Sequence, residues 1–241
     1  MGNYWNRVDY SQISVEELRR KAELSSLNAE KKGRKMEPVI LTDRNICKSW
    51  WGKSWCLNLE SFADYDTRLS RGKRYVRSGA VIDLQIVKGK ITARVQGTRK
   101  TPYKVEIIIT PLKETFCQQI MSTCSKKIES LESLACGEFP EDLKEIFTRK
   151  GGLFPTPREI SLYCNCPDWA IMCKHVAATL YGVGSRLDEN PFLFFTLRGI
   201  DIDNLIDTTI ANKVESMLAH SNVKSHRVME DEDVHHLFGI L

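Results

Sequence analysis

Apolar residues recur along the chain with two periods, near 3.6 and 2, and the changes of period outline its elements. In "SVEELRRKAELSSLNAEKKG" Ser14 stands three residues before Glu17, a capping box that opens a helix with a thin apolar face. An N-terminal helical arm over residues 1–38, mobile or ordered against a partner, is expected. Val39 to Leu41 then read as a short strand, and Trp51, Trp55, Leu59 and Phe62 follow helical spacing within 49–62 as core residues. Strict alternation over Val81 to Val87 and Ile91 to Val95, with Gly89 at a tight turn, predicts two strands, and "YKVEIIIT" a third. The resulting antiparallel meander buries Ile82, Leu84 and Ile86 and leaves Arg94 and Gln96 at polar positions.

Beyond Pro111 the period lengthens again. Phe116, Ile120, Cys124, Ile128, Leu131 and Leu134 form the stripe of a long helix, and "GEFPEDLKEIFTRKGGLFPTPREI" is a second short helix followed by a Gly/Pro-rich turn. That turn, near 150–158, is the predicted domain boundary. "VAATLYGVG" predicts a helix stopped by Gly182 and Gly184; "DENPFLFFTLRG" and "DIDNLIDTTIANKVESMLA" supply two more. No internal repeat is present, and the "GVG" glycines follow a helix instead of opening one, the wrong context for a phosphate loop.

Composition adds limits. The 241 residues are 42% apolar, enough for a substantial core. No apolar run reaches membrane-spanning length and "MGNYWNRVDYSQ" lacks a signal-peptide core, so a cytoplasmic protein without a membrane partner is expected. Asn6 argues against lipid attachment at Gly2. The net charge of +4 hides an asymmetry: residues 31–104 carry 18 Lys or Arg against 6 Asp or Glu, a net of +12, while the rest carries −8. A basic half joined to an acidic remainder suits docking of a polyanion on one side. Of eight cysteines, Cys47, Cys56, Cys117, Cys124 and Cys136 lack tight ligand spacing and read as small core residues.

The other three are different. In "YCNCPDWAIMCKH" Cys164, Cys166, Cys173 and His175 give C-x-C-x6-C-x-H. Thiolate and imidazole donors suit one tetrahedral Zn²⁺, and four protein ligands leave no position for an activated water. A structural ion is expected, pinning the end of a strand ("EISLYCNC") to the start of a helix ("CKHVAATLYG"). Trp169, between the ligand pairs, is expected to pack internally, with a stacking or partner contact as the alternative.

At these residues the chain resembles a SWIM zinc finger, defined by CxCxnCxH, and the resemblance extends into "VAATLYGVGSRLDENPFLFFTLRG". Upstream, "WWGKSWCLNLE", "DYDTRLSRGKRYVRSGAV" and "ARVQGTRKTPYKVEI" resemble the body of bacterial SWIM-containing proteins encoded beside helicase-like ATPases of the chromatin-remodeller class. The resemblance covers residues 45–205. It implies zinc ligation by the same four residues, binding of DNA or protein, a motor ATPase partner and no catalytic residue.

The expected architecture is α+β: an antiparallel sheet packed with helices over 39–152, with a basic surface, then a SWIM zinc module over 153–200 and a helical tail over 201–241. The expected function is non-catalytic nucleic-acid binding, to DNA first and RNA second. "RLSRGKRYVRSG" offers Arg68, Arg71, Lys73, Arg74 and Arg77 as a basic loop around Tyr75, and "RVQGTRKTPYK" adds Arg94, Arg99, Lys100 and Lys104 beside Tyr103. The bland counterpart is a solvated charged face. Two alternatives stay open: a protein-binding scaffold using the Trp169 loop, "NPFLFFTL" and the acidic "MEDEDVH", or a metal-dependent nuclease using Asp64, Asp66 and Asp83.

Overall fold

A computed structural model describes residues 13–127, 144–149 and 151–221. In chain order the elements are α1 (Val15–Glu30), α2 (Trp50–Glu60), α3 (Asp66–Arg77), β1 (Val81–Val87), β2 (Lys90–Val95), β3 (Tyr103–Ile109), α4 (Glu114–Lys127), α5 (Lys144–Thr148), β4 (Ile160–Cys164), α6 (Lys174–Glu189), α7 (Leu193–Arg198) and α8 (Ile202–Ser221). The class is α+β, with one antiparallel sheet in the order β1-β2-β3-β4.

The meander forms as alternation predicts. Gly89 supplies φ +69° at the β1–β2 turn, where an L side chain is disfavoured. One sheet face is apolar and buried, through Leu84, Ile91, Ala93, Val95, Val105, Ile107 and Ile109. The other is polar, carrying the Arg94–Asp83 and Lys90–Glu106 ion pairs. A register shift between Val81 and Asp83 lets Val81 and Ile82 both turn inward. Gln96 departs from its expected polar position: it is buried, donating to the carbonyls of Gly97 and Arg99 and accepting from the Ser25 hydroxyl.

Across the apolar face lies α6, touching all four strands together with α2, α3 and α7. The glycines expected to stop this helix lie inside it, and it runs on to Glu189. They serve close approach instead: a Cβ on Gly184 would meet the Cys47 and Cys56 sulfurs at 2.8 and 2.9 Å, and one on Gly182 would press on Val39 at 3.0 Å. Those two sulfurs, 3.4 Å apart, sit in the packed interior their sequence context suggests.

Several sequence expectations change. The boundary near 150–158 does not divide two cores, because β4 pairs with β3 and the buried residues form one cluster from Ile13 to Ile200. Within the N-terminal arm α1 is docked, with Leu18 and Ala22 buried; residues 1–12 lie outside the described residues. Residues 39–41 form no strand, although Val39 N–H donates to Val81 and Leu84 N–H to Glu37. On α4 the inward phase is Cys117 and Ile120, with Phe116 partly exposed; Ile128, Leu131 and Leu134 lie outside the described residues. The basic stretch 68–77 is helix α3, not a loop. Its inward positions, Gly72, Tyr75 and Val76, are few among many charges, so its apolar period is faint.

Gly72 lets α3 and α6 approach: a Cβ there would lie 2.6 Å from the Ala177 Cβ and 3.0 Å from the Ala178 nitrogen. On α7, Arg198 is fully buried and donates to the Thr110 and Gly152 carbonyls and to Glu159, tying α7 to the sheet's end. Burial works to raise the Glu159 carboxyl, but hydrogen bonds from Arg198 and Thr156 outweigh it and hold the group below its ordinary value.

Two outcomes follow. Gly72→Ala gains about 1 kcal/mol of helix propensity yet overpacks a backbone contact worth about 1–3 kcal/mol, so urea denaturation should show net destabilisation. The depressed Glu159 pKa gives stability present above about pH 4.3 and lost as pH falls through the lower folded value. The stability gap between wild type and Glu159→Gln, measured by urea titration, should therefore narrow on acidification below about pH 4.3.

Candidate metal centre

β4 ends at Cys164, whose Cα register partner is Val105 on β3. Asn165 extends this pairing by one residue: its N–H donates to the Lys104 carbonyl, and its side-chain oxygen accepts from Lys104 N–H at 2.9 Å. The C-x-C turn is thereby laced to β3 before the chain leaves at Pro167. On the far side Cys173 is the N-cap of α6, its sulfur accepting from Val176 N–H at 3.5 Å. Backbone donors at a helix N-terminus favour a thiolate there.

Among the described residues one group of three or more Cys, His, Asp or Glu side chains lies within metal-ligating reach: Cys164, Cys166, Cys173 and His175, whose ligand atoms all lie within 4.8 Å of one another. The His175 Nδ1 is 3.8 Å from the Cys164 sulfur and 3.9 Å from the Cys173 sulfur. Tetrahedral coordination with metal–sulfur bonds of about 2.3 Å implies sulfur–sulfur edges of about 3.8 Å. The donor set therefore fits one four-coordinate ion.

The thiols of the cluster share their protons unequally: hydrogen bonding to Cys166 and burial push Cys164 and Cys173 up. Hydrogen bonds from the Cys164 and Cys173 thiols, with a further one from Asp168 N–H, hold the Cys166 thiol far below its ordinary value. Burial pushes the His175 imidazole down, keeping it neutral and ready to donate a lone pair. Its ring is stacked on Tyr103 at 4.0 Å and 24° and meets the edge of Tyr75 at 5.5 Å. Gly97 leaves space for this stack, because a Cβ there would lie 2.6 Å from Tyr103 and 3.2 Å from the His175 Nε2.

Tyr75 and Tyr103, the aromatics within the two basic stretches, are thus buried around the candidate ligand histidine. The reverse holds for Trp169, expected inside but 78% exposed. In the loop between the ligand pairs Ala170 and Met172 turn inward while Trp169 and Ile171 turn out. Four contacts fix the loop. Asp64 accepts from the N–H groups of Ile171 and Met172 at 2.9 and 3.2 Å, Asp168 pairs with Arg68 at 2.9 Å, and Asp168 also accepts from Ala170 N–H. Sequence patterning missed Asp64 and Arg68 as loop anchors; their partners lie about 100 residues away, beyond any local signal.

The nuclease trio does not assemble. Asp64 is occupied by the loop, Asp83 accepts from Glu37 N–H and pairs with Arg94, and Asp66 lies exposed in the first turn of α3. The nine basic candidates divide by environment. Arg68 pairs with Asp168, Lys73 with Glu60 at 2.8 Å and Arg94 with Asp83 at 3.7 Å, while Arg77 donates to the Arg44 carbonyl. Arg99 lies over Tyr103 at 4.5 Å and donates to the Asn165 carbonyl. Lys100 and Lys104 are exposed, Arg71 and Arg74 half-buried. Arg71 and Arg74 lie on α3 within a turn of Tyr75, whose ring packs against His175. Phe194 and Phe195 are core, which removes them from any partner surface, and "MEDEDVH" lies outside the described residues.

No protein-family model matches the chain, and no solved structure matches it. A curated sequence that does match is the uncharacterized protein Rv2102 of Mycobacterium tuberculosis (strain ATCC 25618 / H37Rv), 37% identical over 172 residues, or 70% of this chain. The chain spans 62% of that relative's length. Among the described residues no helix is long and apolar enough to cross a membrane.

Cys173→Ser removes a candidate metal ligand while leaving a hydroxyl that can still cap α6. It should abolish stoichiometric metal by elemental analysis and lower the thermal midpoint steeply, since structural sites of this type contribute on the order of 10 kcal/mol to folding. Asp64→Ala should instead keep the metal and only speed amide exchange at Ile171 and Met172.

Proposed function

We propose that the protein is a zinc-stabilised, non-catalytic nucleic-acid-binding protein, with DNA as its first target and RNA as its second. One observation carries the reading: Tyr75 of α3 and Tyr103 of β3 both pack against the His175 ring, which brings the two basic stretches of the sequence to the same Cys/His cluster. Arg71 and Arg74 belong to the helical stretch around Tyr75, and Arg99, Lys100 and Lys104 to the stretch around Tyr103. Cations gathered on one surface neutralise successive phosphates and release condensed counterions.

Zinc is the ion we assign, because three thiolates and one imidazole match its preference and four protein ligands give a closed shell. The C-x-C-x6-C-x-H spacing supports a SWIM module, and the same resemblance supports a helicase-like ATPase as partner. A second reading, a protein adaptor, is favoured by the exposed apolar side chains of Trp169 and Ile171. A complex that survives nuclease and high salt favours that reading.

Affinity for a DNA or RNA oligonucleotide should fall steeply as salt rises. The triple variant Arg99→Glu, Lys100→Glu, Lys104→Glu should bind at least about tenfold more weakly, with a salt slope shallower by about one for each phosphate it no longer neutralises. Unchanged affinity in a zinc-loaded, folded triple variant contradicts the reading.

A further inference from the structure

We infer that the loop between the two ligand pairs is a stacking site for an unpaired nucleobase, formed by Trp169 with Tyr65, and that the protein therefore prefers single-stranded nucleic acid. This rests on the nucleic-acid reading above and adds the form of the ligand.

Trp169 is 78% exposed, and its ring meets that of Tyr65 edge-on at 5.5 Å and 84°. Tyr65 is itself 42% exposed and Ile171, two residues on, 72%. Holding the largest of side chains in water forfeits the free energy its burial would release. Yet the loop is not slack. It is gripped at both ends by the cysteines of the cluster and between them by Asp64 and by the Arg68–Asp168 pair. The inward turns of Ala170 and Met172 set the outward turn of Trp169. The result is a rigid aromatic surface with a free edge, which an unstacked base covers at little ordering cost.

Local charge selects which part of the ligand arrives there. Asp66 is exposed beside Tyr65, and the Arg68 charge is balanced by Asp168, so a phosphate gains nothing at the rings themselves. Arg71 lies six residues further along α3 than Tyr65, about 9 Å along the helix axis, and Arg74 three residues beyond it, next to Tyr75. A base on Trp169 thus leaves its strand running toward Arg71 and Arg74 and then to the Arg99, Lys100 and Lys104 side of the cluster. In a duplex the bases are stacked inside and cannot reach the rings. The same chemistry is available in DNA and RNA, which share the π-face of the base.

The test uses the full zinc-loaded chain with labelled oligo-dT, oligo-U and an abasic strand of equal length and charge, followed by fluorescence anisotropy. Wild type should bind the base-bearing strands about tenfold more tightly than the abasic strand, the scale of one stacked base. Trp169→Ala should reduce them to the abasic level with an unchanged salt slope, and Trp169→Phe should retain most of the difference. Zinc content and circular dichroism establish that both variants are folded. Equal binding of wild type to base-bearing and abasic strands, or a preference that persists in Trp169→Ala, overturns the stacking site while leaving the phosphate contacts standing. Absence of binding to every strand overturns the nucleic-acid reading itself, and with it this one.

Discussion

The His175 ring is the point through which the rest of the molecule is organised. Its Nδ1 faces the Cys164 and Cys173 sulfurs, one face stacks on Tyr103 and an edge is met by Tyr75. The sheet, α3 and the first turn of α6 are therefore all within one side chain of the same four donor atoms. An ion there would join the end of the sheet to the start of α6, the helix on which α3 packs. The close passage of Gly72 along Ala177 is the apolar counterpart of the same constraint.

That arrangement explains why the basic residues lie where they do. A three-thiolate, one-imidazole centre carries about one excess negative charge when it holds a divalent ion, and cations gathered around it are less repelled by one another than on a neutral surface. Arg71 and Arg74 lie on α3 within a turn of Tyr75, which packs against His175, and Arg99 is fixed to the carbonyl of Asn165, inside the C-x-C turn. Others in the same stretches have structural duties, Arg68 on the loop and Lys73 on Glu60.

Legibility from sequence followed the range of the interactions. The meander, the Gly89 turn, the end of β4 at Cys164 and the start of α6 at Cys173 rest on alternation, turn chemistry and capping, all local, and they were readable. The four candidate ligands were readable because they lie within twelve residues. Helix α3 was not, since its buried face is a glycine, a tyrosine and a valine among many charges. Gly182 and Gly184 looked like stops because a glycine required by a neighbour's sulfur or methyl carries no local mark. Trp169 was misplaced for a related reason: its direction is set by Asp64 and Arg68, about 100 residues earlier.

The most direct measurement is X-ray absorption at the zinc edge on the purified, reduced protein. The account predicts one ion per chain with three sulfur neighbours at about 2.3 Å and one nitrogen at about 2.0 Å. A metal-free protein that retains its fold, or a shell with oxygen or water in place of one of these donors, would contradict it.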